Sequence, residues 1–182
     1  MIIGYHTVED RNNPDLIKLE GPFRCEREDA WLGHGYYFWD TNIHWAHNWG
    51  RDAYRRKGYI ICQAKINPDI MFDLVGNIGH QMEFEEMIKL LEADESYQRE
   101  KPLVAEIIDF MKDRGFFAHK SVRAADNPYN VVEVDFRPPR NQEQPNNRPF
   151  MRIGQRVQIC LFEKSELTLH DFSIIFPDNY ME

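Results

Sequence analysis

The chain has 182 residues, of which 42% are hydrophobic and 29% charged, so it suits one domain (1–182) with a core of its own. Its net charge of -8 argues against a broad grip on nucleic acid, which needs Lys and Arg against phosphate. The three cysteines, Cys25, Cys62 and Cys160, form no C-x-x-C pair and are odd in number, so neither a disulfide framework nor a zinc knuckle is expected; a reducing cytoplasm fits best. No run of about eighteen apolar residues offers a membrane span, and no basic segment followed by an apolar one marks a secretory signal.

In chain order, residues 2–6 read as a strand and residues 14–34 as a loop punctuated by Gly21 and Pro22. A short strand is expected over 35–39. Asp40 and Thr41 then stand as capping residue types before a helix reaching about residue 57, on which Trp45 and Trp49 share a face. Gly58 stops that helix, and the β-branched run 59–66 reads as a strand. Apolar residues spaced among acids predict an amphipathic helix over 81–93. A second helix is expected over 102–114, with Pro102 in its first turn and Gly115 after its end. Strands are expected over 116–120 and 131–136. The stretch 137–153 reads as an irregular loop, since its first part is rich in proline and without an aliphatic residue. Residues 156–162 alternate as a strand, with Val157, Ile159 and Leu161 on one side and Arg156, Gln158, Cys160 and Phe162 on the other. Strands early, helices in the middle and strands late predict an α+β fold.

Two segments carry the chemistry most visibly. Gly4-Tyr5-His6-Thr7 puts a histidine on the first strand. Gly33-His34-Gly35-Tyr36-Tyr37-Phe38-Trp39-Asp40 combines two glycines, which permit close backbone approach, with two tyrosines that a strand turns to opposite faces. A dinucleotide fingerprint is excluded, because Phe38 stands where the third glycine belongs and the segment enters a strand, not a helix.

A Tyr-His strand followed by a Gly-x-Gly-x-Tyr-Phe-x-Asp strand and a helix resembles the diphtheria-toxin-like and PARP-like ADP-ribosyltransferases. Those domains hold NAD on a split β-sandwich, with a His-Tyr-Glu set on three strands. The segment from Gly115 to Lys120 resembles the Gly-Tyr-Asp-x-Ile strand of small bacterial members, and Gln158-Ile159-Cys160-Leu161-Phe162 resembles the catalytic strand. The resemblance implies a mono-ADP-ribosyltransferase that uses NAD as co-substrate, needs no metal and releases nicotinamide. His6, Tyr37 and Gln158 would be its catalytic set. His6 would bond a ribose hydroxyl, Tyr37 would stack on nicotinamide, and Thr7 would offer its backbone to the carboxamide. Gly35 and Tyr36 of that strand would also help bind NAD, Trp45 or Trp49 would close the other side, and Arg24 would meet a pyrophosphate oxygen.

Gln158 departs from the family's usual glutamate: an amide keeps a hydrogen bond but brings no charge to a developing cation. The resemblance therefore also admits a weak or silent NAD-binding module. Arg140, Arg148 and Arg156 are the candidate acceptor-binding residues, beside Arg137 and Arg152. They suit an acidic protein surface better than nucleic acid, and a toxin or defence effector with a cognate antitoxin or inhibitor protein fits the small size. The competing class is a metal-dependent hydrolase using His34, His44 and His47, the last two at helical ligand spacing.

Overall fold

A computed structural model of the chain describes residues 1–126, 132–135 and 150–181. Its elements in order are β1 (Ile2–Glu9), α1 (Pro14–Glu20), β2 (Tyr36–Asp40), α2 (Ile43–Tyr54), β3 (Tyr59–Ile66), β4 (Met71–Asp73), α3 (Ile78–Glu92) and α4 (Val104–Asp113). They continue as β5 (Ser121–Asp126), β6 (Val132–Asp135), β7 (Phe150–Ile153), β8 (Arg156–Leu161) and β9 (Leu169–Phe176). The fold is α+β: a seven-stranded sheet in the order β4-β5-β8-β2-β1-β3-β9, with β6 and β7 as a separate two-stranded ribbon. No helix among the described residues is long and apolar enough to cross a membrane.

Several elements depart from expectation. The first strand runs on to Glu9, and the 14–34 loop contains α1, which starts on Pro14. Asp40 and Thr41 do not cap α2; Asn42 does, its Oδ1 accepting from His44 N–H at 3.0 Å. Asp40 ends β2 and is buried against Arg123, whose Nε donates to it at 2.6 Å. Residues 116–120 are not a strand but lead into β5, so the likeness drawn from Gly115 onward falls on a connection. The end of the supposed loop, Phe150–Ile153, is β7, while residues 136–149 lie outside the described residues. Both β4 and β9 escaped the sequence reading.

The two sheet faces are covered differently, and this creates the site. On one face α3 and α4 pack Met87, Leu91, Ile107, Ile108 and Met111 over Val122, Ala124 and Cys160 of β5 and β8. On the same face α2 packs Ala46 over Ile61 and Trp39, close enough that a Cβ on Gly50 would lie 2.4 Å from the Tyr59 ring. Between these helical blocks the middle of the sheet stays uncovered. The opposite face curls inward: Met71 from one edge strand and Leu169 from the other join Phe38, Ile66, Ile159 and Leu161 in one cluster.

Candidate functional site

The uncovered middle is a cleft of about 510 Å³, lined by residues of β1, β2 and β8 and by the 22–35 segment. That volume falls in the ~300–1,000 Å³ range of small-molecule sites. Its geometry follows from a parting of strands. β1 pairs with β3 throughout, from Ile2↔Ile66 to Glu9↔Tyr59, but with β2 only at Gly4↔Asp40 and Tyr5↔Trp39. Carried two residues further, the ladder would set Thr7 N–H on Tyr37 C=O. Instead Tyr37 C=O accepts from His6 Nδ1–H at 2.8 Å. The imidazole thus stands in for a backbone donor and wedges the strands apart.

Thr7 is left facing the opening. Ile3 C=O accepts from Thr41 N–H on the β2 side and Asp10 N–H donates to Gly58 C=O on the β3 side, so alternation turns the N–H and C=O of Thr7 toward the departed β2. Thr7 lines the cleft, and its hydroxyl is tied to Ala46 C=O at 3.2 Å. The Tyr54 hydroxyl reaches its carbonyl only at 3.5 Å, a weak contact.

His6 is fully engaged by its own chain. Its Nε2 accepts from Phe23 N–H at 3.2 Å, which with the Tyr37 bond fixes the Nδ1–H tautomer. Burial pushes its pKa down to about 4 despite the bond to Tyr37, so the ring is neutral at pH 7. Tyr37 lines the cleft, and its hydroxyl donates to Gly33 C=O at 2.8 Å and accepts from Leu32 N–H at 3.0 Å. Burial raises its pKa well above the ordinary phenol value, which keeps the ring neutral. Gln158 lies opposite Trp39 on β2, and its Oε1 accepts from Trp31 Nε1–H at 2.6 Å. Trp31 and Phe23, both from the 22–35 segment, therefore hold two of the three candidate catalytic side chains. The sequence reading missed both; a lone tryptophan in a loop has no periodicity to betray it.

The remaining candidates divide. Arg24, Trp49 and Arg156 line the cleft; Gly35, Tyr36 and Trp45 do not. Gly35 is closely packed, since a Cβ there would sit 2.4 Å from Leu161 C=O and 2.5 Å from Cys160 Sγ. Tyr36 packs against the opposite-face cluster, and Trp45 packs with Ala46 and Ile61. Arg24 pairs with Glu26 at 3.6 Å, and Arg27 with Asp29 at 2.6 Å. Arg156 is clamped by Asp126, its Nε at 2.7 Å from both carboxylate oxygens, and stands over the Trp39 and Trp45 rings. Such a clamp reduces its reach toward an acceptor. Arg140 and Arg148 lie outside the described residues.

The histidine cluster does not assemble. His47 Nδ1 is bonded to the Tyr59 hydroxyl at 3.0 Å, and His34 and His44 are exposed. Among the described residues no group of three or more His, Cys, Asp or Glu side chains gathers to hold a metal ion. Cys160 is buried, which raises its pKa to about 12 and makes it a poor nucleophile. No family model, curated protein or solved structure matches the chain.

Proposed function

We propose that the chain is an NAD-dependent mono-ADP-ribosyltransferase of the split β-sandwich type, with its site in the cleft between β1 and β2. The observation that carries this reading is the parting of those strands at His6, which frees the N–H and C=O of Thr7 beside an aromatic floor of Tyr37 and Trp39. A donor and an acceptor on one residue match the two ends of a carboxamide, and the rings match a flat heterocycle. The candidate set also comes from three adjacent strands, β8, β2 and β1, in keeping with the resemblance.

In this reading Thr7 holds the carboxamide through its backbone, and Tyr37 presents its ring to the nicotinamide. Arg24 and Arg27 stand at the mouth, where a pyrophosphate would exchange with their carboxylate partners. His6 keeps the strands apart; to touch a ribose it must exchange its bond from Phe23 N–H. Gln158 supplies an uncharged hydrogen bond where a carboxylate would steady the departing cation, so transfer is slow and stops at one unit. The acceptor is a macromolecule, with protein favoured over nucleic acid by the net charge of -8.

A second reading, an NAD-binding module without turnover, is favoured by one observation: the ring nitrogens of His6 and the Oε1 of Gln158 are all taken by backbone or side-chain partners. Both readings require NAD in the cleft. Titration with NAD, followed through the emission of Trp31, Trp39 and Trp49, tests that requirement. The expected result is saturable quenching that benzamide, carrying the ring and carboxamide alone, reverses. No quenching at the highest soluble NAD concentration contradicts both readings.

A further inference from the structure

We infer that Trp31 is a positioning residue that fixes Gln158 as a hydrogen-bond donor toward the ligand, so that the ligand atom Gln158 meets is an acceptor. The inference deepens the NAD reading and rests on it. An indole N–H can only donate, and the amide oxygen is the only end of Gln158 it can meet. At 2.6 Å that bond is short, and turning the amide over would set N–H against N–H. The amide is therefore oriented by the chain before any ligand arrives.

The neighbours reinforce this. Gln158 is flanked in register by Trp39 on β2 and Ala124 on β5, neither of which offers a side-chain acceptor. Nothing among the described residues accepts from Nε2, and the residue lines the cleft. Trp31 is itself held, packed against the cluster that α3 and α4 build with Cys160. A carboxylate at this position would accept the proton of a ribose hydroxyl. The oriented amide does the reverse: it donates to the hydroxyl oxygen and leaves that proton unclaimed. The site thus recognises a lone pair where a carboxylate would recognise a hydroxyl proton.

The test compares dissociation constants of the full chain for NAD and for NAD bearing fluorine in place of the nicotinamide-ribose 2′-hydroxyl, an atom that accepts weakly and cannot donate. Wild type is expected to lose only a few-fold on fluorine, whereas Gln158→Glu loses about tenfold or more, the worth of a charge-assisted hydrogen bond. Trp31→Phe, which keeps a ring but no donor, is expected to move the ratio toward that of Gln158→Glu. Wild type discriminating as strongly as Gln158→Glu, or Trp31→Phe leaving the ratio unchanged, overturns the inference. A readout without ligand separates the two failures. The Trp31 indole proton resonance should lie downfield in wild type and return in Gln158→Leu; if it does not move, the bond is absent and the inference falls even where NAD binds. If it moves and NAD fails to bind, the NAD reading falls instead, and the inference with it.

Discussion

Acid should destabilise this protein through His6 in a window that its burial defines. His6 is 6% exposed, and its ring donates to Tyr37 C=O and accepts from Phe23 N–H, so a proton on Nε2 must displace the Phe23 bond and enter an apolar pocket. In the unfolded chain this ring takes its proton near pH 6.5, in the folded chain only near pH 4. Between those values the unfolded state holds the extra proton, so acid favours unfolding. The contribution of neutral His6 is whole above about pH 6.5 and gone near pH 4, a change of about 3 kcal/mol. His47 and His119, whose pKa values burial also lowers, add in the same direction. A control is therefore needed: His6→Gln keeps an N–H for Tyr37 C=O and cannot titrate. Urea unfolding of both proteins at pH 7.5 and 4.5 isolates the term. Wild type should lose about 2–3 kcal/mol more than His6→Gln on acidification. Equal losses, or an imidazole resonance of His6 titrating near pH 6.5, would refute the wedge described for this ring.

Gln158→Glu should raise nicotinamide release from NAD by on the order of a hundredfold, since one carboxylate oxygen would stay on Trp31 N–H while the other brings charge to the cleft; abolished release would mean the amide has a role no carboxylate fills. Arg123→Ala strands the Asp40 carboxylate, whose side chain is 5% exposed, and removes a partner of Asp73. A loss of about 3 kcal/mol in denaturant unfolding is expected, and a loss under about 1 kcal/mol would show that the Thr41 hydroxyl bonded to Asp40 suffices.

Local pattern was a good guide where one face is apolar and the other looks into the cleft. The alternation of β8 placed Gln158 opposite Ile159 and Leu161, as found, because those two fill the cluster on the far face. The tyrosine pair of β2 split as the strand period demands, Tyr37 to the cleft and Tyr36 to the far face. Elements held by tertiary contact were the ones missed. Ser121–Asp126 has little apolar periodicity and is a strand because β4 and β8 flank it and Arg123 pairs across the sheet. β9 hides its period behind register shifts against β3, and Asp171 has a positive φ of 54°. The cleft itself was legible only in part. His6 and Thr7 could be named from the chain, but not that the side chain of one frees the backbone of the other. That depends on where a two-strand pairing stops, thirty residues away in sequence at Trp39 and Tyr37.

If the cleft takes NAD and transfers its ADP-ribose, both halves of the cofactor can be followed in one incubation. Wild type and Thr7→Pro, the latter kept only if its circular dichroism matches wild type, should be incubated with cell lysate and NAD labelled either in the adenylate or in the nicotinamide. Adenylate label on macromolecules with free labelled nicotinamide in equal amount, both lost when the Thr7 N–H is removed, is the predicted result. Nicotinamide left on NAD, with no label in protein or nucleic acid, contradicts the transferase.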